Sequence, residues 1–166
     1  IQLEKNINTM ETSSMGRLFD AVSSLIGIRH RINYEGQAAI ELESSIEDSD
    51  SGFYPVTLGN GIIDTQPLIE ALISDLKRGL SSHQISSRFH QSIAVMSLEI
   101  CKKIRAEKDI NLVALSGGVW QNKFLFSKTY QLLKQDGFDM IIHKNVPAND
   151  GGLSLGQAFI AASINE

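Results

Sequence analysis

Two glycine turns stand where this chain can meet a ligand. Ser116-Gly117-Gly118 follows the apolar run LVAL, and Asn149-Asp150-Gly151-Gly152 follows MIIH. Each turn leaves a strand-like run and leads into a helix-like one. Glycine lets a backbone approach a bound group closely, and the free N–H groups at a helix start favour an anion. Two such loops at the carboxyl ends of neighbouring parallel strands face one crevice, an arrangement that suits phosphate. Gly-Gly after a strand is also a common plain turn, and neither stretch matches G-x-x-x-x-G-K-[ST] or G-x-G-x-x-G.

The side chains near these turns each carry a chemical and a plain reading. Asp150 either caps the last helix or offers its oxygens to a divalent cation. Asn122 either hydrogen-bonds a base or ribose or lies on the surface, and Trp120 either stacks on an adenine or packs on the sheet. Asp20, next to the apolar Phe19, is a solvated residue or a ribose contact. His30, His83, His90 and His143 include no H-x-x-x-H pair. His83 and His90 share a helix face, where a metal site competes with solvated or core-satisfied histidines. Ser116 lacks the G-x-S-x-G setting of a nucleophile elbow, and Cys101 reads as a small buried residue.

These residues need a folded frame, and the composition provides one. The 166 residues are 42% hydrophobic and 20% charged, enough to bury a core in one domain or one large lobe. A net charge of −4 argues against a general nucleic-acid surface. A single cysteine excludes an internal disulfide and any multi-cysteine zinc site, and fits a reducing, cytoplasmic setting. No apolar run approaches the roughly 20 residues that span a bilayer, and the amino terminus has no signal-like pattern. The absence of an initiator Met suggests a processed protein or a piece of a longer chain.

The periodicity lays out the positioning elements. Met15, Leu18, Phe19, Val22, Leu25 and Ile26 mark one helix face, capped by Thr12, Ser13 or Ser14 and ended at Gly27. EGQAAIELESS is a second helix and SIEDSDSG a loop. FYPVTL and GIID form a hairpin-like pair around Gly59-Asn60-Gly61. Thr65 and Pro67 open a helix that runs to Lys77 and closes at Gly79. A long helix over about 82–106 carries Ile85, Phe89, Ile93, Met96, Ile100 and Ile104. The last third reads strand, helix, strand, helix, which predicts an α/β unit with a parallel pair. NLVALS is apolar enough to expect cover on both faces, and the closing helix is a candidate for an open apolar face.

Five stretches carry a family resemblance. TSSMGRLFDAVSSLIG, YEGQAAIELE, RFHQSIA, ALSGGVWQNKFL and VPANDGGLSLGQA, in this order, resemble the carboxy-terminal part of the [NiFe]-hydrogenase maturation carbamoyltransferases, the HypF family. The likeness spares the first ten or so residues and the loop at 44–66. That region is similar to the enzyme that attaches threonylcarbamoyl to tRNA adenosine. The resemblance implies the second lobe of an actin-like ATPase or sugar-kinase type α/β domain, with nucleotide between two lobes. It implies that carbamoyl phosphate and ATP give a carbamoyl-adenylate. The carbamoyl group then passes to the carboxy-terminal cysteine of a partner protein, HypE, and becomes a cyanide ligand of the hydrogenase iron.

The same resemblance implies roles residue by residue. Asp20 and Gly36 match adenosine contacts, Gly117 and Gly118 match the glycine turn, and Asn122 matches the base or ribose contact. Asp150 matches a ligand of a divalent metal, whether Mg, Zn or Fe. The family's metal site also uses an H-x-x-x-H pair, which this chain lacks, along with the acylphosphatase-like, zinc-finger and adenylate-forming segments. Residues 1–166 therefore read as the carboxy-terminal half of a nucleotide-binding domain, inactive alone and completed by an amino-terminal lobe. The rival readings are a phosphotransferase lobe of the sugar-kinase or actin type and a non-catalytic module that binds nucleotide or a partner protein.

Overall fold

The computed structural model describes residues 2, 4, 5, 7, 9, 10, 12–47, 52–59 and 61–164. Helix α1 (Met15–Leu25) begins where Ser14 accepts a hydrogen bond from the Arg17 N–H, which singles out Ser14 among the three expected caps. It buries Phe19 and Val22, and Ile26 follows them into the core, but Leu25 from the expected stripe faces outward. Gly27 ends the helix at φ +80°, a conformation that costs glycine little. Helix α2 (Gln37–Ser44) starts at Gly36, also at φ +80°.

Strands β1 (Thr57–Gly59) and β2 (Ile62–Asp64) pair antiparallel, as expected of two β-prone runs around a glycine turn. Asn60 of their turn and residues 48–51 of the polar loop lie outside the described residues. Helix α3 (Gln66–Lys77) carries Pro67 in its first turn, where a missing N–H costs nothing. Helix α4 (Ser82–Lys108) is the spine: Ser81 and Gln84 close a reciprocal capping box at its start. Asp75 of α3 is fixed to it through Arg88 Nη1 at 2.7 Å and also takes bonds from Tyr54 Oη and Arg78. Burial pushes this carboxyl upward, and the three donors together outweigh it and hold the group below the ordinary aspartate range.

Two apolar clusters hold the elements together. The larger gathers Phe19, Leu42, Leu72, Phe89, Ile93 and Leu125 from five helices. Each such fully buried side chain contributes on the order of 1.5–3 kcal/mol relative to exposure. The α4 stripe is buried only as far as Met96, and Ile104 emerges from the core. Below it, Arg105 lies 4.0 Å over the Phe138 ring and pairs with Asp136. The smaller cluster centres on Leu115, Leu133 and Phe138.

The carboxy-terminal third is the expected α/β unit. Strand β3 (Leu112–Leu115) is parallel to β4 (Asp139–Ile142), with Leu112 opposite Asp139 and Leu115 opposite Ile142. Helix α5 (Lys123–Gln135) connects them and α6 (Leu153–Ile164) follows. The sheet departs from expectation in its cover. Only one face packs on helices, and Leu112 and Ile141 remain 54% and 53% exposed on the other. Helix α6 is apolar around its whole circumference and buries none of its residues, although such a helix belongs in a core.

Candidate functional site

The two glycine turns meet at the carboxyl ends of β3 and β4. Ser116 and His143 directly follow the strands, and Ser116 Oγ lies 3.0 Å from His143 Nε2. The Gly117 N–H donates to Ala148 O at 2.7 Å, which ties the first loop to the second. A Cβ on Gly118 would lie 3.8 Å from Asn149 Cβ. The two loops therefore lie against each other beyond the strand ends.

The glycines are there for different reasons. Gly117 has φ +106°, and a Cβ there would meet nothing within 4 Å. Its requirement is conformational, and the turn opens onto free space. Gly152 is crowded: a Cβ would sit 2.9 Å from Pro147 O. At Gly151 the nearest atoms would be Asn149 Oδ1 at 3.1 Å and Pro147 Cγ at 3.2 Å. These two glycines let the second loop fold onto itself, so the sequence-based reading of close approach to a ligand is corrected for them.

Asp150 opens the short 3₁₀ turn Asp150–Gly152, but the cap belongs to Asn149, whose Oδ1 accepts from the Gly151 N–H at 3.1 Å. The Asp150 carboxylate is exposed, with no hydrogen-bond or ion-pair partner among the described residues. It suits one ligand position on a hard cation. A metal site needs more: no three His, Cys, Asp or Glu residues come together among the described residues. His83 does not build one with His90, because both ring nitrogens of the buried His90 are engaged, Nδ1 with Ser86 O and Nε2 with Asn122 Nδ2, both at 2.8 Å. The residues present do not make a complete metal site.

A second correction concerns the start of α5. A 3₁₀ turn (Gly118–Gln121) separates the glycines from the helix, and the first α5 amides are not free. Glu43 Oε1, from α2, accepts from the N–H groups of Lys123 at 2.7 Å and Phe124 at 3.2 Å. Asn122 Oδ1 accepts from the Leu125 N–H at 2.8 Å. A carboxylate from the protein already occupies the place where an anion would bind. Trp120 packs against both apolar clusters, so packing on the core replaces the adenine-stacking reading.

Asn122 is half-buried, and its other end is also engaged. Its Nδ2 lies 2.8 Å from His90 Nε2. His90 is fully buried on α4, with Nδ1 2.8 Å from Ser86 O. A carbonyl only accepts, so Nδ1 carries the proton and Nε2 is the acceptor for Asn122. Phe19, Phe89 and Phe124 meet the imidazole edge-on at centroid distances of 5.2, 5.8 and 5.8 Å. Burial lowers the His90 pKa to about 4 against the opposing bond to Ser86, so the ring is neutral near pH 7.

Asp20 and Gly36 reach this region through α1 and α2, which pack on each other. Helix α1 also lies beside the 3₁₀ turn: a Cβ on Gly16 would be 4.0 Å from Val119 Cγ2. Asp20 is half-buried and pairs with Arg17 at 3.7 Å. Among the described residues neither Asp20 nor Gly36 makes a hydrogen bond to the turn. A hollow between α2 and α5, lined by residues including Glu43, Gln121 and Lys123, contains none of the six sequence-predicted residues. Sequence reasoning missed Glu43 and the His90–Asn122 link. A histidine one position beyond the core residue Phe89 was the only signal for the second.

Comparison with known proteins gives the family and the fold. Residues 1–157 match the model of the family described as carbamoyltransferase, Kae1-like domain, second subdomain. Carbamoyltransferase HypF of Synechocystis sp. is 38% identical over 151 residues, 88% of this chain and 19% of that protein. The probable carbamoyltransferase HypF of Methanocaldococcus jannaschii is 37% identical over 158 residues, 94% of this chain and 20% of the relative. A full-length HypF solved in its phosphate- and nucleotide-bound form superposes with a TM-score of 0.91 at 40% identity, over 99% of this chain and 22% of that one. The chain thus spans about a fifth of the length of these relatives. The α/β unit with its parallel pair, its glycine turns and this run of likeness together place the chain in the family of the second subdomain of the Kae1-like domain of HypF carbamoyltransferases.

Proposed function

We propose that this chain is the carboxy-terminal, nucleotide-facing half of a carbamoyltransferase domain. In this reading ATP and carbamoyl phosphate yield a carbamoyl-adenylate with release of pyrophosphate and phosphate, and the carbamoyl group passes to the carboxy-terminal cysteine of HypE. The observation that carries it is the Gly117–Gly118 turn. It is open to space, locked to the second loop at 2.7 Å, and sits at the ends of two parallel strands. A family member of this fold has been solved with phosphate and nucleotide bound. The family is one of carbamoyltransferases, which favours carbamoyl transfer over the phosphotransferase reading.

The chemistry asks little acid–base work of this chain. A carbamoyl-adenylate is a mixed anhydride and already activated, and the attacking thiolate comes from the acceptor protein. The carbonyl carbon takes the sulfur, and AMP leaves with the charge. This half of the site holds the adenosine part through Asn122, Asp20 and Gly36, and lets the phosphate approach the backbone at Gly117 and Gly118. A fixed amide dipole serves this because it needs no reorganisation as charge develops. Asp150 would be one ligand of a divalent ion that stabilises the leaving phosphate, completed by residues outside this chain. Transfer then requires the remaining lobe, and this chain alone is inactive.

The test is a calorimetric titration of the full-length protein with ADP and Mg²⁺, beside Gly118→Val and Asn122→Ala. Both variants should weaken binding by about tenfold or more, which corresponds to about 1.4 kcal/mol. Folded variants that bind as tightly as the parent would overturn the reading.

A further inference from the structure

We infer that His90 is a positioning residue for the nucleotide contact at Asn122, fixing from inside the core which way the Asn122 amide faces. This rests on the reading above, in which Asn122 touches the nucleotide.

The argument begins with what an N-cap needs. Capping α5 requires only an oxygen that accepts from the Leu125 N–H, and Ser, Thr or Asp would serve as well. Asn122 does more, because its Nδ2 donates inward to His90 Nε2 at 2.8 Å. The two ends of the amide are held by partners of opposite polarity. Leu125 offers a donor and can only face the oxygen. His90 Nε2 offers a lone pair and can only face the nitrogen.

The acceptor is itself fixed. Ser86 O takes the Nδ1 proton of His90 at 2.8 Å, leaving Nε2 as the lone-pair side. The Ser86 hydroxyl is committed to Leu42 O at 2.6 Å, so it does not offer a competing proton. Three phenyl rings hold the imidazole plane from its edges. The order runs from the α4 backbone through the ring to the amide.

This leaves Asn122 with one unused N–H on Nδ2 and one unused lone pair on Oδ1. Together they form a donor–acceptor pair in one plane on a half-buried residue. That is the pattern needed to read an adenine edge or a ribose hydroxyl. Without His90, the amide nitrogen loses its inward anchor, and its rotation about the cap is no longer set.

The test uses the full-length protein and ADP with Mg²⁺, comparing the parent, Asn122→Ala, His90→Phe, His90→Gln and the His90→Phe/Asn122→Ala double variant. Melting temperature and far-ultraviolet circular dichroism are recorded for each. A glutamine carbonyl can take the place of Nε2, so His90→Gln should keep affinity within about threefold of the parent. His90→Phe should fall by about tenfold, towards Asn122→Ala, and the double variant should be no weaker than Asn122→Ala. A merely structural role would make the losses additive and would not be rescued by glutamine.

If His90→Phe is folded and binds like the parent, or if the two losses add, the inference is wrong. If Asn122→Ala itself binds like the parent, the nucleotide reading falls and takes the inference with it. If His90→Phe does not fold, the His90 tautomer in the parent decides, read from long-range ¹H–¹⁵N correlations. A proton on Nδ1 supports the inference and a proton on Nε2 overturns it.

Discussion

The Asn122 amide donates to the His90 ring across 2.8 Å and so ties the loop end of the α/β unit to the middle of α4. The ring is sealed among Phe19, Phe89 and Phe124, with Asn122 and Ser86 as its polar neighbours. Neither of these is charged, and the bond to Ser86 O only partly offsets the cost of an imidazolium buried there.

That burial predicts how stability depends on pH. The folded-state pKa of His90 is depressed to about 4, while the unfolded chain has an ordinary histidine near 6.5. Between those values the unfolded state binds a proton that the folded state does not. The contribution is therefore full above pH 6.5 and is lost as pH falls towards 4. The loss reaches on the order of 3 kcal/mol. Urea unfolding across this window should show a steeper acid loss for the parent than for His90→Gln, which has no titrating ring. Parallel curves would show that His90 ionises freely in the fold.

Glu43 makes a different link, from the end of α2 to the first amides of α5. Removing it leaves two N–H groups at a helix start without their acceptor. Glu43→Ala should cost about 1 kcal/mol of stability, in the range of an N-cap loss. Glu43→Gln keeps an oxygen acceptor and should cost less. Chemical denaturation of the two variants measures the difference. If Glu43→Ala unfolds at the parent's midpoint, the carboxylate adds nothing to the helix.

How much of this was legible beforehand differs by kind of residue. Helices α1 to α5, the hairpin and the parallel pair follow from spacing and from glycine and proline positions, because those signals are local in sequence. Asn122 as a residue of interest was legible too. Its engagement with His90 was not, because it joins positions 32 apart and depends on how α4 lies beside α5. The role of Glu43 joins positions 80 apart, and a single Glu in EGQAAIELESS carries no mark of it. The same cause explains the error on β3. An apolar strand signals that it wants cover on both faces, but not which part of a chain provides it.

That open cover has a consequence for the 166-residue chain produced by itself. Leu153, Leu155, Phe159, Ile160 and Ile164 are all exposed on α6, with Phe159 at 72%. Contiguous apolar surface of this kind drives association. Size-exclusion chromatography with light scattering should give a mass above the 18.3 kDa of one chain. The Phe159→Asp/Ile160→Asp variant should move it towards the monomer. A parent chain that is monomeric at micromolar concentration would mean that α6 is covered in solution.

The adjacent glycines of the first turn separate the needs of the fold from those of a ligand. Gly117 sits at φ +106° with open space where a Cβ would go. Gly117→Ala should therefore cost about 1–2 kcal/mol through backbone strain alone. A Cβ on Gly118 would make an ordinary contact, 3.8 Å from Asn149 Cβ. Gly118→Ala should unfold within about 0.5 kcal/mol of the parent, as a substitution free of a special structural role does. Any loss of ADP affinity in Gly118→Ala then comes from the methyl group standing in the nucleotide's way. Urea midpoints and calorimetric affinities for the two variants, measured side by side, give four numbers. Stability should fall only for Gly117→Ala, and affinity should fall for Gly118→Ala without it. A Gly118→Ala protein with both values unchanged would mean that no ligand approaches the backbone at that residue.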